Sequence, residues 1–285
     1  MKSYPIINGR KIRLAILGCG RISKNHFDSI EKHKKDVELV SICDDDQSVL
    51  TNHEKKYNIK GYLDLVSMIE NVDVDLVIIC TPSGLHAEQT EICSKKGINI
   101  MTEKPMATRW NDGIRMVKAC DQAGVRLFVV KQNRNNPTIK LLQRAIKENR
   151  FGKIHMVHLN VFWSRPQSYY DQATWRGTWE FDGGALMNQA SHYVDLLTWL
   201  NGPIKSVNAV SSTSLKIEAE DSIVLNVKFN NETIGSMSVS MLAFKQNFEG
   251  SITVLGENGL VKIGGVAVNK IEHWEFLNKE PIDKK

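Results

Sequence analysis

The sequence predicts two successive folds, a doubly wound α/β domain and an α+β domain built on an open, mainly antiparallel sheet. From Lys11 to Val130, short apolar runs alternate with amphipathic stretches whose apolar residues fall three and four apart. A glycine-rich turn follows the first of those runs. Beyond Lys131 the pattern changes to β-branched runs, many with period-2 alternation. The expected boundaries are 1–131 for the first domain and 132–285 for the second.

The runs in the first part are Ile12 to Leu17, Val37 to Cys43, Leu76 to Cys80, Ile98 to Met101 and Val125 to Val130. They are almost unbroken in apolar residues, as parallel strands buried on both faces require. Leu85 to Lys96 and Trp110 to Ala123 are long enough for crossover helices, and Gly97 and Gly124 fall where helix C-caps belong. This is a Rossmann-type pattern. In the second part Pro137 is placed to open a helix running to about Asn149. Strands follow at Ile154 to Phe162, Ile204 to Ser212, Ser222 to Phe229, Thr233 to Met241, Gly250 to Leu255 and Gly259 to Ile263, interrupted by one helix, Leu186 to Leu200.

Composition excludes several classes. With 285 residues, 42% of them hydrophobic and 24% charged, the chain is long enough for two cored domains. The net charge of +5 is spread evenly, 20 basic and 17 acidic side chains up to Lys131 against 17 and 15 beyond it. A nucleic-acid protein concentrates such an excess in a stripe or tail. The longest apolar runs fall far short of the ~20 residues of a membrane span, and Met1 to Arg13 lacks an apolar signal core. A cytoplasmic protein is expected, with no membrane or nucleic-acid partner. All five cysteines lie in the first 120 residues without a C-x-x-C pair, so neither a disulfide framework nor a metal site is expected.

The turn after the first strand, Gly18-Cys19-Gly20-Arg21-Ile22-Ser23, reads G-x-G-x-x-G with Ser in the last place. The first Gly permits a tight turn, the second lets a pyrophosphate approach the backbone at a helix N-terminus, and the third eases packing. The second strand ends at Asp44, 24 residues beyond Gly20 and close to the ~20 expected for a ribose-binding acid. A carboxylate there accepts both ribose hydroxyls of NAD and repels the 2′-phosphate of NADP. Asp45 and Asp46 are better read as caps of the next helix.

Two further signals lie at strand ends, Thr81-Pro82-Ser83-Gly84-Leu85-His86 and Glu103-Lys104-Pro105. A Lys before Pro is held extended, which can aim its ammonium into the cleft at the strand ends, although a lone Lys is more often a solvated surface charge. In the second part, Asn188, His192 and Asp195 are spaced four and three, so one helix would project all three from one face. A lone His on a partly apolar helix is more often a satisfied core residue. The alignment with Asn188, after the Gly183-Gly184 turn, raises the case for this one.

Together, the glycine-rich turn with Arg21 and His26, Thr81-Pro82 with His86, Glu103-Lys104-Pro105, and the Gly-Gly turn into Asn188 and His192 resemble the Gfo/Idh/MocA oxidoreductases. Lys131 to Arg134, Phe162 to Asp171, Trp175 to Trp179 and Met187 to Asp195 are similar to the branch that oxidises UDP-N-acetylglucosaminuronic acid at C3 in O-antigen synthesis. The resemblance implies NAD as cofactor, bound by Gly18, Gly20, Arg21, Ile22, Asp44, Thr81, Pro82, His86, Glu103 and Lys104. It implies Lys104, His192 and Asn188 as catalytic residues and Asn133, Arg165, Tyr169, Gln189 and His192 as substrate contacts. Lys104 and His192 would flank the hydroxyl carbon, with His192 as base and Lys104 orienting the hydroxyl, or the reverse, since a Lys near a cationic nicotinamide has a lowered pKa. Arg165 and Tyr169 suit a carboxylate or diphosphate.

Further expectations from the resemblance are a homotetramer formed through the open sheet and, as in some members, recycling of NADH by 2-oxoglutarate. Trp163, Trp175 and Trp179 are expected in core or subunit packing, and Arg176 suits an interface equally well. Many members carry Asp where this chain has Asn188. After Asn269 to Trp274 the family continues through another strand and helices, so this chain is expected to lack the family's last segment. The alternatives are a dehydrogenase of a free cyclic polyol or sugar, such as inositol or glucose, and a non-catalytic NAD and sugar sensor.

Overall fold

The residues between Lys11 and Val130 build a six-stranded parallel sheet in the computed structural model, which describes Tyr4 and residues 6–284. Its strands are β1 (Ile12–Leu17), β2 (Val37–Cys43), β3 (Gly61–Tyr62), β4 (Leu76–Ile79), β5 (Asn99–Thr102) and β6 (Leu127–Val129), in the order β3-β2-β1-β4-β5-β6. The helices are α1 (Ser23–Lys32), α2 (Gln47–Tyr57), α3 (Leu65–Asn71), α4 (His86–Lys95) and α5 (Trp110–Ala123). One face of the sheet buries Ala15, Leu17, Val77, Ile79 and Ile100 against Met68, Cys93 and Cys120. The other buries Leu14, Ile16, Ile42 and Ile78 against Phe27 and Leu50. Burial on both faces is why the strands read as unbroken apolar runs.

The strand order reverses between β1 and β4, so the crevice at their carboxyl ends is where a doubly wound sheet binds ligands. Asp46 caps α2 by accepting from Ser48 N at 2.7 Å and Val49 N at 3.3 Å, whereas Asp45 is exposed and caps nothing. β3 has two residues and no apolar run, which leaves it without a pattern to find.

The chain divides into two compact units, Met1–Val130 and Lys131–Lys285. The second is a seven-stranded sheet with helices on one face. Its elements are α6 (Pro137–Lys147), β7 (Ile154–Phe162), α7 (Gln167–Tyr170), α8 (Ser191–Asn201), β8 (Ile204–Ser212), β9 (Ser222–Phe229), β10 (Ile234–Ser240), β11 (Glu249–Gly256), β12 (Gly259–Gly264) and β13 (Lys270–Phe276). The order is β13-β12-β11-β7-β10-β9-β8, antiparallel except for the parallel pair β7 and β10. Val157, Leu159, Val161, Met237, Val239, Ile252 and Val254 pack beneath Ile139 and Leu142 of α6 and Tyr193, Leu196 and Leu197 of α8.

The helix expected from Leu186 to Leu200 is two pieces. Residues Ala185–Gln189 form a π turn, closed by Ala190 N on the Ala185 carbonyl at 2.9 Å, and the α-helix begins at Ser191. Asn188 therefore sits on the wider turn and His192 and Asp195 on α8, not all three on one regular helix. β13 is an additional edge strand. Most of its residues are exposed, so its sequence lacks the alternation of a half-buried strand.

Asp75 fixes the register of β1 against β4. It accepts from Arg13 N at 2.8 Å and from both Arg10 nitrogens at 2.5 and 2.8 Å, while its own N–H donates to Arg13 O at 2.9 Å. The Arg10 hydrogen bond and the Arg13 amide outweigh burial and pull its carboxyl down to about 2. The folded value lies below the unfolded ~3.9, so this stabilisation is complete above about pH 4 and is lost as pH falls through 2. In denaturation measured across a pH series, wild type is expected to lose its advantage over Asp75→Asn between pH 5 and 2. A constant gap across that range would contradict the assignment.

Candidate active-site residues

The nucleotide end is assembled by close backbone packing. Gly18 has φ +87°, and a Cβ there would lie 2.9 Å from Cys80 C and from Thr81 N, so only glycine lets the loop after β1 meet the loop after β4. Gly20 is different, with open space where a Cβ would be. Ser23, in the third motif position, donates its hydroxyl to the Gly20 carbonyl at 2.6 Å and latches the turn. α1 then starts at Ser23 with no side-chain cap, while Ser23 N and Asn25 N donate to the Gly20 and Ile22 carbonyls at 3.2 and 3.1 Å. Asp44 Oδ2 accepts from Cys19 N at 2.7 Å and Oδ1 from Asp46 N at 3.0 Å, which holds the carboxylate beside the glycine turn.

The loops after β4 and β5 are tied by His86. Its ring is fully buried, with Nδ1 3.0 Å from the Pro105 carbonyl and Nε2 3.0 Å from the Thr81 carbonyl. Burial pushes its pKa down against the pull of those carbonyls. Thr81 Oγ1 donates to Gln89 Oε1 at 2.6 Å. The Lys104-Pro105 peptide is cis. Glu103 is buried and accepts from His26 Nε2 at 2.8 Å and from Lys104 N at 3.1 Å. Burial works against its charge, but His26 and the Lys104 amide prevail and its carboxyl stays below the usual value. His26 thus links α1 to the residue preceding Lys104.

In the second unit, three of the predicted substrate residues come together. Arg165 Nε donates to Gln189 Oε1 at 3.1 Å, and Gln189 Nε2 donates to the Tyr169 hydroxyl at 3.1 Å. The Arg165 guanidinium also donates to Ser164 O at 2.7 Å and Asn247 Oδ1 at 3.1 Å, and lies 5.5 and 5.4 Å from the Trp163 and Tyr169 rings. Arg176 stacks on Tyr169 from 4.3 Å and donates to its carbonyl. Asn133 lies on a single turn, Gln132–Asn135, whose Arg134 grips Asp195 through two bonds of 2.7 and 2.6 Å. Asp195 is therefore a partner of Arg134. Nearby Lys131 is pushed below its ordinary pKa by burial and by Arg134, against the pull of Asp195.

Asn188 and His192 are both buried, at 8% and 6% exposure. Asn188 Nδ2 donates to Asp182 Oδ1, a contact with no spacing signal in the sequence. Trp163 packs edge-on to Tyr193 in the core, but Trp179 is 51% exposed and lies outside the core of this unit. Among the described residues no helix is long and apolar enough to cross a membrane, and no group of three or more His, Cys, Asp or Glu is arranged to hold a metal.

Comparison with known proteins matches residues 12–131 to an oxidoreductase family with an NAD-binding Rossmann fold and residues 139–262 to the GFO/IDH/MocA C-terminal domain. A WlbA dehydrogenase from Chromobacterium violaceum, solved in complex with NADH and UDP-GlcNAcA, is 55% identical over 100% of this chain and 83% of its own, with a TM-score of 0.98. A WlbA dehydrogenase from Bordetella pertussis, solved with the same two molecules, is 53% identical over 98% of this chain and 84% of its own, with a TM-score of 0.96. Myo-inositol 2-dehydrogenase of Thermotoga maritima is 25% identical over 88% of this chain and 74% of its own. With both units matched, the chain belongs to the Gfo/Idh/MocA oxidoreductase family.

Proposed function

We propose that this protein oxidises the 3-hydroxyl of UDP-GlcNAcA to a ketone with NAD. The observation that carries the reading is identity above one half, across essentially the whole chain, to two dehydrogenases that hold NADH and UDP-GlcNAcA. The alternative substrate class, a free polyol, is represented by a relative at 25% identity. In this reading residues 1–131 bind the dinucleotide and 132–285 the sugar nucleotide.

The residues present fit NAD: open space at Gly20, an uncapped helix start and a carboxylate held at Asp44. Gly18, Gly20, Arg21 and Ile22 would hold the pyrophosphate, Asp44 the ribose, and Thr81, Pro82, Glu103 and Lys104 the nicotinamide half. His86 would contribute by holding the Thr81 and Pro105 loops. Bound NAD supplies the acceptor for the hydride on the hydroxyl carbon. His192 takes the hydroxyl proton, Lys104 orients the hydroxyl and stabilises charge developing on its oxygen, and Asn188 positions the sugar. Arg165, Tyr169, Gln189 and Asn133 bind the carboxylate or diphosphate, Arg165 being already held by its neighbours and so ordered before substrate arrives.

A 3-keto sugar nucleotide is a natural substrate for an aminotransferase, which places the reaction in cytoplasmic O-antigen precursor synthesis, with 2-oxoglutarate as the oxidant that returns NADH to NAD. The functional unit is a homotetramer. β8 supports this, being exposed over most of its length, with Val207 and Val210 58% and 74% exposed and Val224 beside it on β9 at 54%.

Incubation with NAD and UDP-GlcNAcA is expected to raise NADH absorbance, and Lys104→Ala and His192→Ala are each expected to lower turnover by ~10²–10⁴. Wild-type turnover in both variants would refute the site, and NADH from inositol with none from UDP-GlcNAcA would refute the substrate. For the cofactor, KM for NAD is expected below that for NADP, with Asp44→Ser narrowing the gap; a lower KM for NADP in wild type would overturn the role of Asp44. Sedimentation is expected to give four copies per particle, falling in Val210→Asp, and a monomeric wild type would rule out the tetramer.

A further inference from the structure

The π turn that carries Asn188 is held from behind by two buried carboxyl groups. Asp182 is 3% exposed; its Oδ2 accepts from Gly177 N at 2.8 Å and its Oδ1 from Asn188 Nδ2. Glu220 is 5% exposed; its Oε1 accepts from Leu186 N at 2.9 Å and its backbone carbonyl from Ala185 N at 2.9 Å. Gly184, at φ +84°, has no room for a side chain, since a Cβ would fall 2.0 Å from Glu220 Oε2. Burial, reinforced by Asp182 and Asp221, pushes Glu220 up toward its neutral form. Asp221 is engaged elsewhere, by Ser214 N, Leu215 N and the Ser222 hydroxyl. Asp182 is the acid whose carboxyl group meets the Asn188 amide.

An amide has a donating end and an accepting end, and its own packing does not distinguish them. A carboxylate that already accepts from Gly177 N distinguishes them completely, because it can only accept again. The NH2 of Asn188 is drawn to Asp182 and the carbonyl oxygen is turned away from it. A group that must order a hydroxyl for proton loss is more effective when only one of its ends can face that hydroxyl.

We propose that Asp182 is a positioning residue for the dehydrogenation: it fixes the amide of Asn188 so that Oδ1, as an acceptor, and not the NH2, is presented to the sugar. This inference rests on the reaction proposed above.

The first test is Asp182→Asn, which keeps the volume and an acceptor for Gly177 N but offers Asn188 either sense. Turnover of UDP-GlcNAcA is expected to fall 10- to 100-fold at nearly unchanged KM and melting temperature. Adding Asn188→Asp in the same chain restores a fixed acceptor at 188 and is expected to recover most of the lost turnover. Unchanged turnover in Asp182→Asn, or a loss that tracks melting temperature and that Asn188→Asp does not repair, would overturn the proposal. A second measurement needs no variant. In 15N-labelled wild type the side-chain amide of Asn188 is expected to be shifted downfield and slow to exchange; exchange as fast as an exposed Asn would overturn it too. Because that signal does not depend on turnover, a wild type that makes no NADH from UDP-GlcNAcA counts against the reaction alone.

Discussion

The first unit depends on how closely β1 and β4 bring their carboxyl ends together. At Gly18 the approach leaves no space for a single carbon, and the backbone of Cys80 and Thr81 occupies it. The rest of the nucleotide end is hung from that contact. Thr81 leads to His86, His86 to Pro105, and Glu103, beside Lys104, leads back through His26 to the helix that starts at the glycine turn. The result is a closed loop of contacts through buried groups, in which no member can shift without a cost to its neighbours. Lys104 is carried on this loop, so the precision of its backbone is inherited from a glycine 86 residues earlier.

In the second unit two cations are held by neutral groups and not by carboxylates. Arg165 and Arg176 are held by ring faces, carbonyls and amide oxygens. Neutral partners fix the direction of a guanidinium while leaving its charge uncompensated. Arg134, by contrast, is neutralised by Asp195 through a two-pronged pair.

Much of this was legible in the sequence because burial imposes a period. β1, β2, β7, β8 and β9 begin and end where their apolar patterns do, and Pro137 opens α6 as a first-turn proline should. What was illegible lacks such a period. β3 is two residues long, and β13 is an exposed edge. The π turn inserts a residue into what looks like one helix, because Glu220, remote in the chain, takes the N–H groups at its start. The glycine turn, Asp44, and the grouping of Arg165, Tyr169 and Gln189 could be anticipated from motifs, whereas Asp182, Glu220 and the His26–Glu103 link are visible only in three dimensions.

His86 has a wider consequence. A ring buried between two carbonyls and pushed toward its neutral form behaves as a strut of fixed length. Its two ring nitrogens each lie 3.0 Å from a carbonyl, Pro105 O on one side and Thr81 O on the other, so the loop after β4 cannot drift from the loop after β5 without breaking one of those contacts. The segments that carry Thr81 and Lys104 are thereby spaced by one rigid ring, where flexible side chains would let the gap between them vary.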